Sequence, residues 1–564
     1  MVDVAAPICT KESYYNLGSF GRKVSTTSDE AQVWFDRGIT WAYSFNHEEA
    51  VRCFEQVIAH DADCAMGYWG VAFATGPNYN KKWSLFDEQD LEMSTTKAYN
   101  ASRAGDLHLA NADPLEKALV KAIQYRFPTP KGIADFDATN KAYANAMRDV
   151  YKQFEDDLDV LALFADSLMN ISPWGLYDDK TGKPILTTPV LEVKQLLDRA
   201  LKMPGGTEHP GILHMYIHLM EMSSTPEVAL VPADHLRELC PDSGHLCHMP
   251  SHLDILLGHY RSAIAANTKA TIADDKFFER QGGCNFYSFY RLHNYHSLIY
   301  AAMLAGQSKV ALDATSRMEA TISEKMLRMQ SPPMAKWLEI FCAIRVHVLI
   351  RFGRWTDILD LPVPQDERLY CSTVAMTHYG KGIANAVLGN LDQAEKHRQL
   401  YKEAAAKVPP DHLDFPNKVS DLFKVATAML DGEIEYRKGN YDHAFASLRK
   451  AIEAEDSLLY SEPWSWFLPA RHSYAALLLE QGHVEQATDV YAEDLGFGGE
   501  LTGAHRHLNN VWSLHGYHEC LHRLGRTAEA RLIERPLKVA LAVADVPITS
   551  SCFCRLSKSC HCSL

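Results

Sequence analysis

The chain of 564 residues is 47% hydrophobic and 23% charged, a composition typical of globular proteins with a large buried core. Its 71 acidic and 56 basic residues give a net charge of −15, which argues against a nucleic-acid partner and against binding to an anionic membrane surface. The first residues show no secretory pattern and no run reaches about 18 apolar residues, so we expect a cytoplasmic protein whose 13 cysteines are free thiols.

The N-terminal segment, residues 1–164, has the spacing of paired helices. Small and aromatic residues recur along it in a fixed register: Trp34, Gly38, Trp41, Ala50 and Phe54. Tyr68 repeats the position of Trp34 after 34 residues. These positions are similar to the 34-residue pattern of the tetratricopeptide repeat (TPR) superfamily, and this resemblance implies helical hairpins.

The central segment, residues 165–300, combines helices with long loops. Residues 172–184 are dense in Pro, Gly and Asp, and residues 75–80 form a similar break earlier in the chain. Ten of the 26 histidines lie between His209 and His296. Long loops within an array of helices are common at binding sites, so we predict the functional site here.

The C-terminal segment, residues 301–545, continues the hairpin pattern, and the Cys-containing residues 546–564 follow it. A glycine followed five residues later by Ala or Ile occurs at Gly258 in the central segment and recurs in this one at Gly306, Gly353, Gly389, Gly439, Gly482 and Gly525. Glycine suits a left-handed helix end, and the small residue lets the second helix approach closely. The pattern predicts an all-α solenoid.

These spacings resemble those of the tetratricopeptide repeat (TPR) superfamily. The resemblance implies stacked helical hairpins, although intervals of 36–50 residues between glycines exceed its 34-residue unit. A narrower resemblance links the chain to large bacterial and fungal TPR proteins. It rests on the HPG-x-x-H-x-x-x-H segment at 209–218, the GHL-x-HMPSH segment at 244–252, and residues 45–50, 76–80 and 544–554.

Three histidine pairs have helical spacing: His214/His218, His248/His252 and His293/His296. Side chains three or four residues apart on a helix are neighbours, so each pair can direct two ring nitrogens at one point. We predict that the three pairs are ligands of a transition metal. Glu221 lies one turn beyond His218 and could be a ligand, a partner that fixes the imidazole tautomer, or a general base; we predict that it is catalytic.

Further candidate ligands lie outside these pairs. They are His47 at a bend in the first repeat, His209 and His245 beside the paired histidines, and Cys552 and Cys554 in the C-terminal segment. His518 and His522 define a weaker metal site. We interpret Cys560 and Cys562 as incidental thiols of a tail.

The sequence supports two functions. Histidine-rich ligation suits copper, zinc or iron better than Mg²⁺ or Ca²⁺. We favour copper and predict a metal-dependent oxidoreductase that acts on a small organic molecule. No G-x-S-x-G, P-loop, G-x-G-x-x-G or H-E-x-x-H motif competes with this interpretation. The alternative is a scaffold that binds a peptide or protein partner in a concave groove.

Overall fold

The computed structural model describes residues 6–499, 501 and 505–555, and these fold almost entirely as α-helices. The helices divide between two compact units. The first comprises residues 1–253 and 268–291, and the second comprises residues 254–267 and 292–564. Most of the predicted central segment, residues 165–300, belongs to the first unit.

The first unit contains eleven α-helices that lie wholly within it among its described residues: α1 (Asp29–Tyr43), α2 (His47–His60), α3 (Ala65–Thr75), α4 (Glu88–Leu107), α5 (Pro114–Ile123), α6 (Phe136–Gln153), α7 (Leu158–Met169), α8 (Val190–Ala200), α9 (Pro210–Met220), α10 (Leu230–Leu236) and α11 (Gly244–His248). Three further helices contribute residues to both units: α12 (Pro250–Leu256), α13 (Tyr260–Gln281) and α14 (Tyr287–Leu304).

Local signals fix the helix starts of the first unit. Asn46 and Asp87 accept hydrogen bonds from backbone N–H groups of the first turns of α2 and α4, and Asp113 forms a reciprocal capping box with Glu116 at α5. Gly38 lets α1 approach α2, because a Cβ there would lie 2.8 Å from the ring of Phe54. This contact reproduces the predicted repeat register.

The second unit is an array of helical hairpins. Its helices are α15 (Ser308–Glu319), α16 (Glu324–Leu327), α17 (Met334–Leu338), α18 (Ile344–Arg351), α19 (Trp355–Asp360), α20 (Cys371–Val387), α21 (Leu391–Ala405), α22 (Val419–Arg437), α23 (Tyr441–Asp456), α24 (Ala470–Glu480), α25 (Val484–Asp494), α26 (Val511–Arg523) and α27 (Thr527–Val543). Strands β1 (Leu413–Asp414) and β2 (Asn417–Lys418) pair antiparallel, with Leu413 opposite Lys418. First helices of neighbouring hairpins contact one another, as α18 does with α20 and α20 with α22.

The glycine pattern in the sequence is confirmed. All seven hairpin glycines have positive φ, between 64° and 86°. Each small residue five positions later is buried: Ala263, Ala311, Ile358, Ala394, Ala444, Ala487 and Ala530. The fold is therefore all-α and TPR-like. No helix within the described ranges is both long and apolar enough to cross a membrane.

Candidate metal centre

Helix α9 carries the first histidine pair into the core of the first unit. His209 is its N-cap and accepts a hydrogen bond from the backbone N–H of Ile212, and Pro210 occupies the first helical position, where a missing N–H costs nothing. Every residue of α9 is buried. His214 and His218 lie on one face, with ring centroids 4.8 Å apart. Their predicted inward orientation is confirmed.

Helices α11 and α12 carry three more histidines to the same place. His245, His248 and His252 are buried, and α12 begins at Pro250, as predicted. Gly244 is required at the start of α11, because a Cβ there would lie 1.9 Å from a carboxylate oxygen of Asp274. His245 thus joins the two predicted pairs. We call His214, His218, His245, His248 and His252, together with Glu221, the histidine cluster.

Oxygen acceptors fix the tautomers of three of these imidazoles. His214 Nδ1 lies 2.6 Å from the carbonyl oxygen of Tyr43, which can only accept, so Nδ1 carries the proton. The two oxygens of Glu221 accept from Nδ1 of His218 at 2.7 Å and Nδ1 of His252 at 2.6 Å. Each of these neutral rings therefore has its lone pair on Nε2, the state that a metal ligand requires.

Burial keeps these rings neutral. It lowers the pKa of His218 to about 3 and the pKa of His214 well below its usual value. Burial also lowers the pKa of His252 to about 4, although the Glu221 carboxylate acts in the opposite direction. Two neutral imidazoles that share one buried carboxylate leave a negative charge, which a bound cation would balance.

The Nε2 atoms converge in two places. His214 Nε2 lies 3.1 Å from His245 Nε2, and His248 Nε2 lies 2.7 Å from His252 Nε2. The ligand atoms of His214, His218 and His245 all lie within 4.8 Å of one another. His218 Nε2 is buried and has no hydrogen-bond partner among the described residues. A bound ion or an ordered water would satisfy this nitrogen.

Aromatic rings enclose the histidine cluster. Phe45 packs on His214 with centroids 4.4 Å apart, and Tyr79 and Trp174 pack on His218 at 5.1 and 5.5 Å. Tyr290 contacts His245 at 4.8 Å. The sequence indicated the loops that carry Tyr79 and Trp174 but not these side chains as site residues. The turn-forming residues next to Tyr79 and Trp174 are the sequence feature that could have identified these two side chains.

Two of the enclosing residues have unusual backbone. Phe45 has φ of 59° and Trp174 has φ of 62°, a left-handed conformation that is rare for bulky side chains. Strain of this kind costs of order 1–3 kcal/mol and is concentrated at functional sites. The two residues with this strained backbone are those whose rings cover the imidazoles of the cluster.

His209 and His47 make other contacts in this arrangement, and their role as additional ligands stays a prediction. Both ring nitrogens of His209 are engaged, since Nδ1 caps α9 and Nε2 lies 3.1 Å from Asp159. His47 Nδ1 lies 3.3 Å from the carbonyl oxygen of Gly76. Among the described residues, neither belongs to a group of three converging ligand atoms.

The third predicted pair lies on the second unit's part of α14. His296 is buried between aromatic rings, with its centroid 4.1 Å from that of Phe467 and 4.8 Å from that of Phe341. No group of three ligand atoms in the described chain includes His296. An aromatic stack fills the surroundings of His296, and its role as a ligand stays a prediction. His293 is partly exposed, and its role as a ligand stays a prediction.

The C-terminal cysteines also differ from expectation. Cys552 and Cys554 form a disulfide, so they are neither free thiols nor thiolate ligands. Cys560 and Cys562 lie outside the described residues. His518 and His522 have Nε2 atoms 3.1 Å apart at the surface of α26.

One further group of converging ligand atoms was not predicted from the sequence. Glu339, Cys371 and His412 offer ligand atoms within 4.8 Å of one another in the second unit. The Glu339 carboxylate accepts hydrogen bonds from the backbone N–H groups of Ser372 and Thr373. It therefore stabilises the start of α20, which is a structural role.

Comparisons with known proteins show similarity at low levels. No family model matches the chain, and no curated protein matches it. Among solved structures, Cut9–Hcn1 of the APC/C aligns over 92% of this chain and 97% of its own, with 11% identity and a TM-score of 0.27. Yeast Tom70 aligns over 90% of each chain with 12% identity and a TM-score of 0.25. The Naa15/Naa10 complex bound to HypK-THB aligns over 91% of this chain and 70% of its own, with 12% identity and a TM-score of 0.21.

Proposed function

We propose that the first unit is a metal-dependent enzyme, with a transition metal held by Nε2 of His214, His218 and His245. The observation that carries the proposal is the fixed tautomers: His214 and His218 donate through Nδ1 to oxygen acceptors, which leaves their Nε2 lone pairs for a metal. The orphaned Nε2 of His218 fits the same conclusion. His248 and His252 would lie beside this metal.

The donor set favours copper, with zinc or iron as alternatives. Neutral imidazoles suit these ions, whereas Mg²⁺ and Ca²⁺ prefer oxygen. Copper or iron would supply oxidative chemistry on a small organic molecule, and zinc a bound hydroxide.

The protein's own residues would position the metal and exclude water. Glu221 holds two imidazoles at once through its two oxygens, so the geometry supports a positioning role rather than the catalytic role expected from the sequence. The His248–His252 contact of 2.7 Å offers a route for a proton between neighbouring rings. Phe45, Tyr79 and Trp174 would shield the metal from solvent.

Metal analysis of protein purified without an affinity tag tests this proposal. The surface pair would bind metal by itself, so the background should carry His518→Ala and His522→Ala. We expect about one copper, zinc or iron ion per chain, lowered at least about 10-fold in occupancy by His218→Ala. The exposed His483→Ala is the matched control. A metal-free wild-type protein from metal-replete cells would refute the proposal.

One observation favours a second function, peptide binding by the second unit. Its hairpin helices already hold the chain's own C-terminal segment: Arg351 donates to the carbonyl oxygen of Ser551 at 2.9 Å, and Arg437 donates to that of Cys554. Arg555 forms two hydrogen bonds with Glu519, at 2.7 and 2.9 Å. The test is a chain ending at residue 544. It should bind a synthetic 545–555 peptide, and Arg351→Met should abolish this binding.

A further inference from the structure

A groove of about 400 Å³ opens on the surface of the first unit. The start of α2, residues 74–81, helix α4, and Phe286 with Tyr287 line it. Its volume lies at the lower end of the range for small-molecule sites. The groove therefore has room for a compact organic molecule rather than a folded partner.

The groove adjoins the histidine cluster. Phe45 lines the groove, and its ring also packs on His214, His218 and His245 with centroids 4.4, 5.8 and 5.6 Å apart. Tyr287, another lining residue, accepts a hydrogen bond from the backbone N–H of His245 at 3.3 Å. The Phe45 ring thus contacts both the groove and the imidazoles.

The lining combines aromatic and apolar residues with polar and charged ones, and its cations are already paired. Phe45, Phe86, Phe286 and Met93 provide the apolar surface. Each lining cation pairs with a carboxylate: Arg52 with Glu49 at 3.0 Å, Lys81 with Asp90 at 2.6 Å, and Lys97 with Glu55 at 2.7 Å. Lys81 Nζ also lies 4.1 and 4.5 Å from the ring centroids of Phe86 and Phe286. A charged ligand would have to compete with these pairs, whereas an uncharged ligand would leave them in place.

We propose that this groove binds an uncharged aromatic small molecule and that Phe45 separates it from the metal. The placement beside a metal rests on the proposed function, but the binding of the aromatic molecule does not. The left-handed backbone of Phe45, with φ of 59°, holds a bulky ring where the groove and the histidine cluster meet.

Binding to chelator-treated, metal-free protein tests the ligand class. We expect indole to bind more tightly than indole-3-acetate or tryptamine in calorimetric titrations. Met93→Trp should fill the groove and weaken indole binding about 10-fold or more. Leu107→Trp, on an exposed position of the same helix, should change nothing. Equal or tighter binding of a charged analogue would overturn the proposal, and so would unchanged binding to Met93→Trp.

The proposal that Phe45 separates the groove from the metal is tested with the metal-loaded protein. Phe45→Ala should let a chelator remove the metal about 10-fold faster, since the ring that covers the imidazoles is gone, and bound indole should slow this removal. Phe86→Ala should weaken indole binding without changing the removal rate. Equal removal rates in the wild type and Phe45→Ala would refute this role, provided that the melting temperature of the metal-free variant shows it folded. A protein without metal would refute the proposed function and leave the binding test intact.

Discussion

The substitution Glu221→Gln distinguishes a metal site from a histidine cluster that has only a structural role. The carboxylate accepts one proton-bearing Nδ1 on each oxygen, from His218 and from His252. Glutamine has nearly the same shape but only one accepting oxygen. One of the two imidazoles must then receive a hydrogen bond at Nδ1 and carry its proton on Nε2, where it can no longer bind a metal.

The expected magnitude follows from these two contacts. Loss of such a partner typically costs 10–100-fold in metal affinity, which corresponds to about 1.4–2.8 kcal/mol. The metal-free protein loses a hydrogen bond to a charged group, worth about 1.5–3 kcal/mol. It also no longer buries a carboxylate, which recovers an energy of similar or larger size. The unfolding free energy of the metal-free variant should therefore be equal to or above that of the wild type.

Two measurements on one sample decide the outcome. Competition with a chromophoric chelator gives the metal affinity, and urea unfolding of the chelator-treated protein gives the stability. The background again carries His518→Ala and His522→Ala, so that the surface pair does not contribute. A variant that keeps wild-type metal affinity but loses about 2 kcal/mol of metal-free stability would refute the tautomer argument.

Three further predictions concern the parts around the site. His209→Ala should lower the unfolding free energy by about 1–3 kcal/mol, because it removes both the α9 cap and the hydrogen bond to Asp159. The metal affinity should stay unchanged. Urea unfolding measures the first quantity and chelator competition the second. Gly439→Ala should cost about 1–2 kcal/mol, because φ there is 82° and nothing crowds the added Cβ, whereas Gly439→Asn should cost less. Burial lowers the pKa of His347 to about 3. Below about pH 6.5 the unfolded chain therefore binds a proton at His347 that the folded chain does not bind. The contribution of His347 to the unfolding free energy then falls by at most about 1.4 kcal/mol for each pH unit of acidification. His347→Phe should flatten this decline between pH 6.5 and 4 in urea unfolding, and parallel curves for the two proteins would contradict the assignment.

The sequence determined the features that depend on near neighbours along the chain. The left-handed glycines end helices because only glycine adopts that backbone freely, and the Ala or Ile five residues later follows from the same turn. His209 and Pro210 fix the start of α9, and Pro250 fixes the start of α12. The inward orientation of His214 and His218 could likewise be predicted, since the rest of α9 is apolar.

Only the tertiary structure decided what these histidines contact. The acceptor for His214 is the carbonyl oxygen of Tyr43, 171 residues away, and Phe45 covers its ring from the same distant turn. His293 and His296 also have a helical spacing, yet His296 packs against Phe467 in the second unit. Helical spacing fixes which side chains share a face, whereas the partner of that face is set by packing between segments far apart in the chain, and no local pattern encodes that packing.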